Sequence, residues 1–152
     1  MEKFSLVLED MKRTISSKRI GFYLALISSL LALISGIIYK IKYDGSDYYS
    51  AWAFSLPIVG LCVFIVLSLF SKTSKFASII TTVLSFVSFL IFINASYMYL
   101  SEVFYGGFNM KAIQEMDKEY IVILFMFLIS GIIGNVSIYQ KQNKLQEDNK
   151  HE

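Results

Sequence analysis

The chain has 152 residues, of which 55% are hydrophobic and only 17% are charged, and its formal net charge is +2. Soluble domains carry charge on about 25% of their residues. A water-soluble fold with this composition, whose mean hydropathy is +0.57, would lack a polar surface. The composition therefore excludes an ordinary soluble domain.

Residues 1–19 have the spacing of an amphipathic helix. Their apolar side chains recur every three or four residues, at Phe4, Val7, Leu8, Met11 and Ile15. We expect an interfacial helix on the inner leaflet of the membrane, with Lys12, Arg13, Lys18 and Arg19 facing anionic headgroups. Simple anchoring is the preferred interpretation, and a docking helix for a cytoplasmic partner is the alternative.

Four stretches of 20 or more residues lack any charged side chain. A helix rises about 1.5 Å per residue, so about 20 residues cross a hydrocarbon core of about 30 Å. Each stretch is therefore predicted to span the membrane, and the first is expected to be retained rather than cleaved as a signal peptide. Pro57 either kinks the second span or lies in its first turn. The expected spans are residues 20–39, 50–71, 76–101 and 120–140.

Lysine and arginine are distributed unevenly along the chain. Ten of the fourteen lie in residues 1–19, in the turn 71–75 or in the tail 141–152. The positive-inside rule places these segments, and hence both termini, in the cytoplasm. Because the turn has only five residues, the second and third spans are antiparallel neighbours. The predicted fold class is all-α, an integral membrane four-helix bundle of up-down-up-down topology.

The composition of the polar residues adds two expectations. The tail 141–152 contains one leucine among polar side chains, so it is predicted to be a disordered cytoplasmic segment. Lysine outnumbers arginine 12 to 2. This ratio is typical of an AT-rich bacterial genome, and we expect the cytoplasmic membrane of a bacterium as the location.

Small residues recur at intervals of three and four in two spans, and we call them the first-span row and the hydroxyl stripe. Helices in lipid associate through close packing and hydrogen bonds at such residues. Packing within the bundle is the preferred interpretation, and self-association or docking to a larger membrane protein is the alternative. The first-span row is Gly21, Ala25, Ser28, Ala32 and Ser35, and the hydroxyl stripe of the third span is Ser78, Thr81, Ser85 and Ser88.

Aromatic residues concentrate near the predicted outer interface, where such rings prefer the depth of the headgroups. Their density exceeds what anchoring needs, so they are also a candidate platform for a partner or an amphipathic ligand. The platform residues are Tyr48, Tyr49, Trp52, Tyr97, Tyr99, Phe104, Tyr105 and Phe108.

Acidic residues also gather on the predicted outer side, with Glu115, Asp117 and Glu119 near Glu102 in the expected bundle. A solvated acidic face is the preferred interpretation, and a weak divalent-cation site is the alternative, because no fixed ligand spacing is present.

Residues with catalytic chemistry are scarce. The single cysteine, Cys62, excludes an intramolecular disulfide and a CxxC pair. The only histidine, His151, lies in the polar tail, which excludes histidine-ligated haem or zinc in the membrane and a Ser-His-Asp triad. We expect no enzymatic activity, no cofactor and no metal, and the partners expected are the lipid bilayer and other membrane proteins, not nucleic acid.

The function predicted from these features is action through protein–protein contacts, as an accessory, regulatory or immunity-type subunit of a membrane complex. The alternative is an oligomeric small-solute channel or transporter lined by the hydroxyl stripe. The layout resembles tetraspan proteins such as the claudin and MARVEL families. The motif of a tryptophan and paired cysteines in the outer loop of claudins is missing. No family is assigned on layout alone.

Overall fold

The computed structural model of the chain describes Glu9 and residues 18–70, 73–108 and 110–140. The interfacial helix expected over residues 1–19, apart from three positions, and the tail 141–152 lie outside these residues. The elements are α1 (Ile20–Tyr43), α2 (Ala51–Ser68), α3 (Ser74–Ala95), α4 (Tyr97–Val103), α5 (Met110–Glu115) and α6 (Lys118–Tyr139).

Four of these helices, α1, α2, α3 and α6, are long and apolar enough to cross a membrane. Their mean hydropathy over the most apolar window lies between 2.2 and 2.5. The predictions of an all-helical chain and of four apolar helices with the length of a membrane span are confirmed by length and composition.

The third predicted span, residues 76–101, is divided at Ser96. The helix α3 ends at Ala95 and α4 begins at Tyr97, with the backbone of Ser96 at φ −86° and ψ 6°. A ψ value near zero departs from the helical value of about −42°. The N–H of Ser96 nevertheless bonds to the carbonyl of Phe92, and its carbonyl accepts from Leu100. The regular helical geometry is thus interrupted at Ser96, while the N–H and the carbonyl of this residue stay paired.

Pro57 lies inside α2 and not in its first turn, because α2 begins at Ala51. Proline has no N–H, so it cannot bond to the carbonyl four residues earlier, which belongs to Ala53. The hydroxyl of Ser88 in α3 donates to this carbonyl oxygen. A neighbouring helix therefore supplies a donor to the backbone carbonyl that lacks the N–H of residue 57, as occurs in membrane helices that contain proline.

The four long helices form a bundle in which α1 and α3 each pack against both α2 and α6. Phe22 stacks on Phe64, whereas Gly36, further along α1, lies against Phe54. The contacts therefore run in opposite order along α1 and α2, which makes the two helices antiparallel. We call the end where α1 stops and α6 starts the tyrosine end, and the opposite end the basic end.

The interior of the bundle combines apolar side chains such as Phe64, Phe92 and Ile123 with small hydroxyl side chains, and its exterior is largely apolar. Apart from the tyrosines Tyr39, Tyr43 and Tyr120, every buried side chain with a polar group among the described residues is a serine or a threonine. Large aliphatic and aromatic side chains such as Ile34, Val83, Leu90 and Phe125 are exposed. An apolar surface of this extent is costly in water and matches a lipid environment.

Candidate functional site

The first-span row is buried along one face of α1, since Gly21, Ala25, Ser28, Ala32 and Ser35 all lie in the interior. At its centre α1 meets α6. The hydroxyl of Ser28 donates to the carbonyl of Ser130, and the hydroxyl of Ser130 donates to the carbonyl of Ser28, both at 2.8 Å. Two reciprocal hydrogen bonds therefore join these helices at a single level.

Close approach at this level depends on a glycine of α6. A Cβ atom at Gly134 would lie 2.7 Å from Thr82 Oγ1 and 2.8 Å from Ser28 Oγ. Both distances are shorter than a carbon–oxygen contact allows, so α1, α3 and α6 meet here only because residue 134 has no side chain.

The hydroxyl stripe of α3 is buried between α2 and α6, with Ser78, Thr81, Ser85 and Ser88 all in the interior. The hydroxyl groups of Ser78 and Ser137 share a hydrogen bond. Thr81 donates to the carbonyl of Gly60 at 3.3 Å, as well as to its own helix. Together with the bond from Ser88 to Ala53, these contacts show that the hydroxyl stripe bonds to neighbouring helices within the same chain.

Sequence reasoning missed the small residues of α6 that meet these rows: Ser130, Gly131, Gly134 and Ser137. Ser130, Gly134 and Ser137 recur at intervals of four and three, as members of the first-span row do, so the same pattern is present in the fourth span. What the spacing does not indicate is which helices become neighbours.

The aromatic platform is divided by the structure. Tyr49 and Tyr99 contact buried rings at the tyrosine end, where Tyr49 lies 5.3 Å from Tyr39 and Tyr99 lies 5.1 Å from Tyr120 between ring centroids. Tyr48 packs against Tyr99 at 5.8 Å between centroids. These three residues help to close the bundle and offer only partial exposure to a partner.

Tyr39 is the centre of this closure, and sequence reasoning did not single it out. It is fully buried, its hydroxyl donates to the carbonyl of Tyr48 at 2.6 Å, and it accepts from the N–H of Ser50 at 2.8 Å. One side chain of α1 thus holds the connection to α2.

The remaining platform residues face outward. Tyr105 is 95% exposed and Phe108 is 81% exposed, while Trp52 and Tyr97 are each 69% exposed. Phe104 is half-buried and stacks on Phe108 at 5.1 Å between centroids. We call Trp52, Tyr97, Tyr105 and Phe108 the exposed aromatic set.

Three acidic residues at the tyrosine end, Glu102, Asp117 and Glu119, have individual partners. Glu119 forms an ion pair with Lys42 at 3.2 Å, and Asp117 accepts from the hydroxyl of Tyr43 at 3.4 Å. Tyr48 donates to Glu102 at 3.1 Å, and this bond to a carboxylate raises the pKa of the Tyr48 hydroxyl. Within the part of the chain that the structure describes, no three acidic, cysteine or histidine side chains are grouped to hold a metal ion.

Comparisons of the chain with protein-family models, with curated proteins and with solved structures found no match.

Proposed function

We propose that this chain is a small four-span protein of a bacterial cytoplasmic membrane that acts through protein–protein contacts. It serves as an accessory, regulatory or immunity-type subunit and has no chemistry of its own. In this proposal the helices α1, α2, α3 and α6 cross the bilayer in up-down-up-down order. Both termini lie in the cytoplasm, and the tyrosine end faces outward.

The observation that carries this proposal is the inward orientation of the hydroxyl stripe. A solute path needs polar groups that face it, and charged side chains or exposed carbonyl groups normally accompany them. The stripe is instead buried within one chain, where Ser88 and Thr81 bond to backbone carbonyls of α2. This arrangement supports a packing role for the stripe over the alternative of an oligomeric channel.

The exposed aromatic set is the surface that a partner contacts in this proposal. Tyrosine and tryptophan side chains are enriched at the energetic centres of protein interfaces, and phenylalanine is enriched in interface cores. Gly107 beside Phe108 adopts φ +94°, a conformation that favours glycine and sets the turn carrying Tyr105 and Phe108. The turn presents both rings away from the bundle, since each is more than four-fifths exposed.

Purification in a gentle detergent from native membranes, followed by mass measurement of the intact assembly, tests this proposal. We expect a stoichiometric complex with a larger membrane protein. The combined variant Tyr105→Ala and Phe108→Ala should release the partner. Phe125→Ala, which removes a ring of similar size from an exposed site in the middle of α6, is the matched control and should retain it.

A pure homo-oligomer in the same measurement would replace the accessory role with self-association and justify flux assays. A complex that survives the double variant and is lost with Phe125→Ala would move the docking surface to the flank of the bundle.

The proposed orientation has its own test by cysteine labelling in a Cys62→Ala background. Tyr105→Cys should react with a membrane-impermeant maleimide on intact cells, because residue 105 is almost fully exposed. Gln140→Cys, at the basic end, should react only after the membrane is opened. Labelling in the reverse pattern would invert the topology.

A further inference from the structure

A cleft opens at the basic end of the bundle, between the start of α1 and the end of α6. Its volume is about 520 Å³, and it is lined by Lys18, Arg19, Ile20, Tyr23, Tyr139 and Gln140. The two helices are drawn together at Ser28 and Ser130, further along the bundle. Near the cleft they carry the larger side chains Tyr23 and Tyr139.

Two cationic side chains line this cleft, and its described lining includes no carboxylate. Lys18 Nζ donates to the carbonyl of Ser68 at the end of α2 and lies 4.7 Å from the centroid of the Phe22 ring. These contacts hold the ammonium group in position, and neither partner carries a full negative charge. Burial lowers the pKa of Lys18 to about 8, as expected for a cation whose desolvation is not offset by a nearby anion.

The other walls of the cleft are largely apolar. Ile20 is 70% exposed, and the rings of Tyr23 and Tyr139 are also exposed. Each ring combines an apolar face with a hydroxyl group, the combination that favours the boundary between headgroups and hydrocarbon. The cleft therefore offers positive charge on one side and apolar surface on the other, at the level where two candidate spans end.

We propose that this cleft binds one anionic phospholipid, with the phosphate group against Lys18 and Arg19 and the first part of the acyl chains along Ile20, Tyr23 and Tyr139. Basic pockets between membrane helices are known to recognise anionic headgroups. A free phosphate ion matches only the charged side of the cleft, whereas a phospholipid matches both. This site does not depend on any protein partner and is separate from the exposed aromatic set.

Native mass spectrometry of the full chain in a mild detergent tests the proposal. The probes are phosphatidylglycerol, phosphatidylcholine and inorganic phosphate, each titrated separately. We expect one phosphatidylglycerol to be retained at least tenfold more tightly than phosphatidylcholine, and no competition from millimolar inorganic phosphate.

Variants assign the bound lipid to the cleft. Lys18→Gln and Arg19→Gln should each weaken binding of phosphatidylglycerol about fivefold, since each removes one positive charge near a phosphate. Lys40→Gln is the matched control, because Lys40 also lies over a phenylalanine ring, at 4.9 Å from the centroid of Phe54, but at the tyrosine end. It should leave the affinity unchanged. Lys18→Arg keeps the charge and should preserve binding, and circular dichroism verifies that each variant is folded.

Three results would overturn the proposal. Equal affinity for phosphatidylglycerol and phosphatidylcholine would show that charge is not recognised. Tight binding of inorganic phosphate would identify a site for a soluble anion. Equal losses of phosphatidylglycerol affinity in Lys18→Gln and Lys40→Gln would show that binding depends only on the overall charge of the protein. Tyr139→Ala provides an independent assignment, because it alters the apolar wall of the cleft and leaves Lys18 and Arg19 in place. This variant should also weaken the binding of phosphatidylglycerol.

Discussion

The hydroxyl group of Ser88 donates a hydrogen bond to the carbonyl oxygen of Ala53, the acceptor that Pro57 leaves without its helical donor. The helices α2 and α3 are thereby joined at the position where Pro57 interrupts the hydrogen bonding of α2. A hydrogen bond between membrane helices contributes about 0.6 kcal/mol on average and up to about 1.7 kcal/mol. This bond belongs at the upper end because its acceptor lacks the N–H donor that residue 57 would supply in a regular helix.

Ser88→Ala should therefore lower the free energy of unfolding by about 1 to 2 kcal/mol. In a Pro57→Ala background residue 57 regains its N–H, and the same change should cost much less. Thermal denaturation of all four forms in detergent measures this coupling. Ser101→Ala is the control, since the hydroxyl of Ser101 is exposed and bonds only within its own helix. Additive effects of Ser88→Ala and Pro57→Ala would contradict the relationship.

Gly134→Ala should destabilise the bundle by about 1 to 3 kcal/mol, the usual cost of overpacking. The added Cβ would meet the hydroxyl oxygens of Thr82 and Ser28, at 2.7 and 2.8 Å, in the tightest part of the interior. Gly106→Ala is the matched control, because no atom lies within 4 Å of a Cβ built there. A loss of melting temperature in the first variant alone is the expected result, and equal stability of the two would contradict the close approach.

Tyr39→Phe should loosen the connection between α1 and α2. It removes the hydroxyl that donates to Tyr48 and accepts from Ser50, and an unpaired buried backbone group costs about 1 to 3 kcal/mol. Hydrogen exchange of the Ser50 amide should accelerate, and the melting temperature should fall. Tyr105→Phe, which removes a hydroxyl from an exposed ring, should change neither measurement. Unchanged exchange at Ser50 in Tyr39→Phe would contradict the bridge.

The side chain of Lys18 should titrate near pH 8. Its pKa is lowered to about 8 in the folded chain, whereas an unfolded lysine titrates near 10.4. Between these values the unfolded state binds more protons, so this residue makes stability rise with pH over that window. Nuclear magnetic resonance of ¹³C-methylated lysines in phosphatidylcholine micelles measures the midpoint, and Lys18→Gln identifies the signal.

Adding phosphatidylglycerol should move the Lys18 midpoint upward, because a bound anion favours the charged form. A midpoint near 10.4 before any anionic lipid is added would contradict the desolvation of this side chain.

The sequence predicts features that depend on composition, such as the positions of the apolar helices. It predicts poorly which side chains of a helix face the interior of the bundle. Absence of charge located the four apolar helices to within a few residues. It did not locate the interruption at Ser96, because the residues around Ser96 include no proline, no glycine and no charged side chain. Position along the chain grouped Tyr49 with Tyr105, although the first contacts Tyr39 inside the bundle and the second faces outward.

The hydrogen-bond partners of the buried hydroxyl groups could not be predicted from the sequence either. The spacing of Ser28 placed it on the same face as Ala25 and Ala32. Its bond to Ser130 depends on α6 being the neighbour at that level, and this is a property of the assembled bundle. The basic cleft has the same origin, because Lys18 and Tyr139 are distant in the chain and meet only when α1 and α6 pack.

The reciprocal pair formed by Ser28 and Ser130 also limits how α1 and α6 can move. Each hydroxyl bonds to the backbone of the other helix, so both bonds share one register between the two helices. A slide of one residue, about 1.5 Å along the axis, breaks both bonds together and drives neighbouring side chains against Gly134. Sliding of α1 along α6 is therefore unfavourable, and a rearrangement of this protein should move these two helices together.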